Sequence, residues 1–351
     1  MSGKTVFVIG AGASKEVNLP TGEELKTYIS HILDLEMRFG TLKAGDELLV
    51  NAFRSYAKKN NKQDINDFIT HSLLIREALP LAISIDNFID AHRENQSIAF
   101  CSKLAITRAI LNAEKNSLLH PSKLINHHKA NFKILKNTWY LSFFRLLTEN
   151  CSITDLKARF NSLTLIIFNY DRCIEQFLLI ALMKYYNIDN NKALELINYI
   201  EIYHPYGSVG NILKTDERQP VSYGTDINHE QLLLLSNEIR TFTEGTDKKN
   251  SNIISIKDNI RDASKLIFLG FAFNKLNMDL LRSSEPTKND HSTVKCYATS
   301  YGISESDIGY VKESVDSLYH HSSSNIKSVS FQNADTTCSE FFSHFWKSLS
   351  F

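Results

Sequence analysis

Paired cysteines are what this chain most plainly lacks. Its five, Cys101, Cys151, Cys173, Cys296 and Cys338, include no two at Cys-x-x-Cys spacing. That excludes a zinc ribbon or a thioredoxin-type redox site and predicts buried, reduced thiols. An excess of charge is missing too, since 39 Lys+Arg stand against 39 Asp+Glu. No global field therefore recruits nucleic acid or an anionic membrane, and neither is an expected partner. No apolar run approaches membrane-spanning length. The first expected strand starts almost at the initiator Met, leaving no room for a signal peptide, so the expected location is cytoplasmic. His127-His128 and His320-His321 have no third ligand at metal spacing, and no metal is expected. A Gly-x-Ser-x-Gly elbow is absent, which removes the usual hydrolase serine. Low-complexity sequence is confined to the serines at 322 to 324, and no internal repeat is found.

What is present begins at the N-terminus. Hydrophobic residues make up 43% of 351 residues, enough for a sizeable core and two lobes. Thr5 to Ile9 is a β-branched and aromatic run of the kind that forms a buried parallel strand. It empties into Gly10-Ala11-Gly12-Ala13-Ser14 and continues to Leu19-Pro20-Thr21-Gly22. Missing β-carbons there let backbone amides approach a ligand, and amides at a helix start stabilise a pyrophosphate. Lys15 stands where the dinucleotide fingerprint has its third glycine. A nucleotide-phosphate cradle and a plain glycine-tolerant turn both fit this stretch.

The order of patterns sets the fold class. A first helix is expected from Glu23 to Met37, and an almost wholly helical stretch from about Asp46 to Asn150, closed by Trp139 to Leu147. Strand patterns resume at Leu163 to Phe168, Ile200 to Tyr203, Leu266 to Phe271, Val294 to Thr299 and Ile326 to Phe331. Helices are expected between them at Arg172 to Tyr186, Asn191 to Tyr199, Gln231 to Phe242 and Ile253 to Ala263. Asn211 to Asn228 reads as a surface loop. Alternating strands and helices predict an α/β fold, a Rossmann-like doubly wound parallel sheet with a large helical insertion. Residues 1–44 and 160–351 would form the nucleotide-binding lobe, and 45–159 the insertion.

In such sheets ligands sit beyond the carboxyl ends of the strands. Gly10 to Ser14, Asn169-Tyr170-Asp171 and His204-Pro205-Tyr206-Gly207-Ser208 all fall at expected strand ends. Asn and Asp can hold a ribose or a water, and a histidine titrates near neutrality. The set suits cleavage at an anomeric carbon, where the transition state is oxocarbenium-like. Each has a structural alternative: Asn169 and Asp171 as helix caps, His204 as a turn residue before proline, Ser14 as a cap. Asp86-Asn87-Phe88 reads as a helix start or a wall of the pocket, and Lys248-Lys249 as loop surface.

Together these stretches resemble the sirtuin-like superfamily of NAD-consuming proteins. Val8-Ile9-Gly10-Ala11-Gly12-Ala13-Ser14 with Pro20-Thr21-Gly22 is similar to its opening motif. Phe168-Asn169-Tyr170-Asp171 is similar to its Asn-x-Asp motif, and His204-Pro205-Tyr206-Gly207-Ser208 to its His-Gly-Ser motif. Ile267 to Phe273 with Asn277 is similar to its late glycine turn near the adenosine. The nearest likeness is to bacterial sirtuin-like NAD+ hydrolases of antiphage defence. Ser84 to His92 resembles the helical lobe of members that work beside a HerA-type hexameric ATPase.

The resemblance implies NAD+ as substrate, a HerA-like ATPase partner and a homo-oligomer. Asn169 would hold the water or ribose at the scissile bond, His204 would act as base, and Asp171 would orient the site. Gly10, Ala11, Gly12, Ser14, Thr21, Tyr206, Gly207, Ser208, Gly270, Phe271 and Asn277 would bind the dinucleotide. The chain departs from the deacylases in having no zinc ribbon and no Arg soon after Pro20. It also carries Tyr206 in the usual histidine place, so the base role falls to His204 from a displaced position or is shared with Tyr206. The expected activity is hydrolysis of NAD+ to ADP-ribose and nicotinamide. The alternatives are a non-catalytic NAD+/ADP-ribose-binding subunit and a protein deacylase or ADP-ribosyltransferase. The helical lobe or the loop at Asn211 to Asn228 is expected to occlude the site until assembly.

Overall fold

The computed structural model describes residues 3–126, 129–213, 221–245, 251–282, 293–319 and 328–350. His127-His128, Lys248-Lys249, His320-His321 and the serines at 322 to 324 lie outside them. Six strands form the main sheet: β1 (Lys4–Ile9), β2 (Leu163–Ile167), β3 (Glu201–Tyr203), β4 (Ala263–Leu269), β5 (Thr293–Thr299) and β6 (Ser328–Ala334). Their spatial order is β6-β5-β4-β1-β2-β3 and every pairing is parallel. This is the Rossmann-like order, in which the chain reverses its direction of travel between β1 and β4. Val6 lies opposite Thr164 on one side and Leu266 on the other, so β1 is the centre of the sheet.

Composition explains which strands are central. Residues 5 to 9 of β1 and all of β2 are buried, as apolar runs covered on both faces must be. The edge strand β6, Ser-Val-Ser-Phe-Gln-Asn-Ala, alternates with polar residues and is partly exposed. Side chains of β1 alternate between two cores. Val6 and Val8 join one, together with Ile166, Leu266 and Phe268. Phe7 and Ile9 join the other, with Leu165, Ile167, Ile267 and Leu269.

The helix Ser251–Asp262 packs on the first face against β1 and β4. The core there also takes in α2 (Gly22–Ile32) and, from the expected insertion, α3 (Glu47–Lys59), α4 (Asn66–Ala78), α5 (Ile85–Ala91) and the 21-residue α6 (Gln96–Asn116). On the second lies the helix Trp139–Thr148, whose Phe143 ring meets Phe7 edge-on at 5.2 Å. The indole of Trp139 donates to the carbonyl of Ala13 at 2.8 Å. Buried side chains of residues 45–159 belong to the same two cores as those of the sheet.

Three expectations are corrected. The first helix stops at Ile32, and Glu36–Arg38 pairs with Thr41–Ala44 in an antiparallel hairpin. Leu33, Leu35 and Met37 alternate with the more exposed Asp34, Glu36 and Arg38, a period of two that overrides the helical reading. A second small hairpin, Ile125–Asn126 with Lys129–Ala130, interrupts the helical stretch. The far end of the supposed surface loop is interior: Val221 and Tyr223 are buried, 5% and 3% exposed.

The turns after β1 and β4 meet backbone to backbone. Gly270 has φ +55°, and a β-carbon there would stand 2.1 Å from the Ala13 nitrogen. Gly270→Ala combines left-handed strain with that collision. We expect a loss of at least ~2 kcal/mol in urea unfolding or failure to accumulate as soluble protein.

Candidate functional site

The same contact gives the glycines of the opening turn their reason. A β-carbon on Gly10 would stand 2.4 Å from the Gly270 oxygen, and one on Gly12 would stand 2.9 Å from the Gly270 α-carbon. Gly12 N–H donates to Gly270 O at 3.0 Å, and Ala13 N–H to Gly10 O at 3.0 Å. The side of the turn that the missing β-carbons leave open is thus packed against the neighbouring turn, and the amides of Gly10, Gly12 and Ala13 are engaged. Ala11 opens the short helix α1 (Ala11–Lys15).

Strand β2 delivers Asn169 to this turn across 159 residues of sequence. Its Nδ2 donates to Gly10 O at 3.1 Å and to Ser14 Oγ at 2.9 Å. Asn169 is therefore not a cap of the following helix; its side chain closes over the opening turn. Asp171 does satisfy that helix, accepting from Cys173 N–H at 3.0 Å. Burial raises its carboxyl above the ordinary range, against the bonds from Cys173 and Ser14. Burial and the neighbouring Asp171 likewise push the Cys173 thiol well up, which removes it as a nucleophile.

His204 arrives from the end of β3. Its Nδ1 lies 3.1 Å from Asn169 O, and its Nε2 lies 2.7 Å from Glu175 Oε1. Burial opposes the charged ring, but the Glu175 carboxylate and the two hydrogen bonds outweigh it, and the pKa stands above the ordinary histidine value. A carbonyl and a carboxylate both accept, so the ring here donates from both nitrogens. In this arrangement His204 has no lone pair for a substrate, a departure from its expected role as a free base. Glu175, in the first turn of the helix Cys173–Tyr185, was not singled out from sequence. There it reads as an ordinary N-terminal acid, and no local pattern links it to a residue 29 positions on.

The remaining expected site residues serve packing as well as position. Thr21 caps α2 in a capping box with Glu24, so its hydroxyl and amide are both engaged. Tyr206 is buried and donates to Asn277 Oδ1 at 2.7 Å. Its ring meets Phe168, which in turn meets Phe271 at 5.1 Å. Gly207 has φ +74° and faces the Glu238 carbonyl. Ser208 Oγ bonds Gly210 O.

The insertion contributes directly. Ser84 caps α5, and Asp86 in its first turn accepts a hydrogen bond from the Tyr170 hydroxyl. Asp86 is thus in a helix start and also bonded to the Asn169–Asp171 stretch through Tyr170. Burial raises its carboxyl, while Tyr170 works the other way. Beneath, Arg172 and Glu114 of α6 form an ion pair, 1% and 0% exposed, with Nη2 to Oε2 at 2.6 Å and Nε to Oε1 at 3.1 Å. Arg172 also donates to Val221 O at 2.5 Å. Among the described residues no cluster of three His, Cys, Asp or Glu has metal-site geometry.

The structure therefore brings together Gly10, Ser14, Asn169, Asp171 and His204, with Tyr206, Phe271 and Asn277 in an adjoining layer. Thr21 is held at the start of α2 by its cap. Chemically the cluster offers a side-chain amide, two buried acids and a charged imidazole–carboxylate pair. No protein-family model matches the chain, and no curated protein matches it either.

Two measurements test this account. Arg172→Met leaves Glu114 buried and uncompensated and is expected to cost ~3–5 kcal/mol in denaturant unfolding. Adding Glu114→Gln to it should recover part of that loss. For His204 the folded-state pKa is raised, so its stabilisation is complete below the ordinary histidine range and is lost as pH rises through the folded value. Melting temperature should fall over that rise, and the fall should be smaller in His204→Gln.

Proposed function

We propose that the chain hydrolyses NAD+ at the nicotinamide–ribose bond, giving ADP-ribose and nicotinamide. The observation that carries the reading is the convergence of three distant stretches beyond the carboxyl ends of β1, β2 and β3. Asn169 is tied to Gly10 and Ser14, and His204 is tied to Asn169. Ligands of doubly wound sheets bind there. Cleavage at an anomeric carbon asks for oriented polar groups around an oxocarbenium-like centre more than for a strong nucleophile. The amide of Asn169 would orient the ribose or the attacking water, Asp171 would face the developing positive charge, and the His204–Glu175 pair would receive the proton. The chain's lack of paired cysteines disfavours the deacylase alternative.

The likeness of Ser84 to His92 supports a HerA-like ATPase as partner and NAD+ depletion in antiphage defence as the setting. The bond from Tyr170 to Asp86 of α5 and the packing of Phe168 on Tyr206 and Phe271 support a subunit that is silent alone. The same contacts favour one competing reading, a regulatory subunit that binds NAD+ or ADP-ribose without turnover.

Incubation of the chain with NAD+, alone and with the ATPase, followed by chromatography of products, separates them. The expected result is ADP-ribose and nicotinamide from the complex and little from the subunit. Asn169→Ala should lower the rate by ~10²–10³-fold with its melting temperature retained. Calorimetric binding with no product in either state would establish the regulatory reading instead.

A further inference from the structure

His204 holds the place of the base by resemblance, yet its contacts leave it nothing to accept a proton with. Asn169 O takes the hydrogen of Nδ1, and Glu175 Oε1 takes that of Nε2. The two side chains are 13% and 8% exposed, so water does not compete for these bonds. The other oxygen of the same carboxylate is in the opposite situation: Glu175 Oε2 is buried and has no hydrogen-bond partner. A buried acceptor without a donor is costly, and such an atom in an otherwise satisfied polar cluster marks a place for a water or a ligand hydroxyl. Glu175 lies two residues past Cys173, whose amide is held by Asp171, so it belongs to the same strand-end segment as Asn169 and Asp171.

We propose that Glu175, through Oε2, is the catalytic base, and that His204 is a positioning residue that holds Glu175 and Asn169 in one geometry. This rests on the reading of the chain as an NAD+ hydrolase. In the step, a water oxygen bonds to the anomeric carbon as the bond from that carbon to the nicotinamide nitrogen breaks. The bonding pair leaves with the nitrogen and neutralises the ring's positive charge. One water proton passes to Glu175 Oε2 and from there to solvent. A carboxylate is basic enough for this, because water attacking an oxocarbenium-like carbon becomes acidic as the bond forms.

The ATPase-bound chain is the material to test, with Glu175→Gln, Glu175→Ala, His204→Gln and His204→Ala compared for kcat, KM and pH profile. Expected are a fall of ~10²-fold or more in kcat for Glu175→Gln with KM little changed. At least tenfold rescue of Glu175→Ala by formate or azide is expected, with a smaller fall for His204→Gln that imidazole does not repair. Melting temperature checks folding; should Glu175→Gln not fold, the His204 variants decide. Rescue of His204→Ala by imidazole, or Glu175→Gln retaining more than a tenth of wild-type kcat, overturns the assignment while leaving the hydrolase reading in place. A wild-type complex that consumes no NAD+ overturns both.

Discussion

Two turns at the centre of the sheet approach so closely that neither admits a β-carbon, and the rest of the site is built on that contact. Gly10 and Gly12 follow β1, Gly270 follows β4, and the backbone of one lies in the van der Waals shell of the other. The contact fixes where β1 ends and how α1 leaves it. It also sets where Gly10 O and Ser14 Oγ stand to receive Asn169. A looser crossing would move these acceptors, and the asparagine would have no fixed partner. Glycine here serves chain-to-chain packing before it serves any ligand.

A second constraint runs beneath the first. Glu114 and Arg172 form a fully buried ion pair that joins the longest helix of the insertion to the segment after β2. Such a pair contributes little net stability compared with an apolar contact of the same size, but breaking it is expensive. Its effect is positional: the carboxylate also takes the Arg172 amide, and the guanidinium holds the carbonyl of Val221. Insertion, strand end and the segment from Val221 are thereby held in one register. The helices between residues 45 and 159 share the two cores of the sheet, and Phe143 among them meets the Phe7 ring of the central strand.

Much of this was legible from residue patterns alone. Runs such as Thr5 to Ile9 and Leu163 to Ile167 are apolar on both faces, and only a doubly covered parallel strand uses that pattern economically. Strand ends, and hence Gly10, Asn169 and His204, follow from where those runs stop. The hairpin at Glu36–Arg38 was hidden because its period-two alternation spans only a few residues and abuts a helix. Thr21 shows that one position can carry two readings, since its place in the motif is also that of a helix cap whose hydroxyl accepts from the Glu24 amide. Glu175 escaped notice for a related reason: an acid in the first turn of a helix is favoured by the helix itself.

The sequence by itself determined the fold class, the position of the strand ends and the chemical types gathered there, because burial period and turn composition are local properties of the chain. Tertiary structure alone decided the strand order, the mutual approach of the two glycine turns and the choice of partners within the site. Asn169 reaches Gly10, His204 reaches Glu175, and Tyr170 reaches Asp86 across separations that no local pattern encodes. Hydrogen bonds between distant side chains depend on how packed layers are offset, and that offset is a property of the whole core.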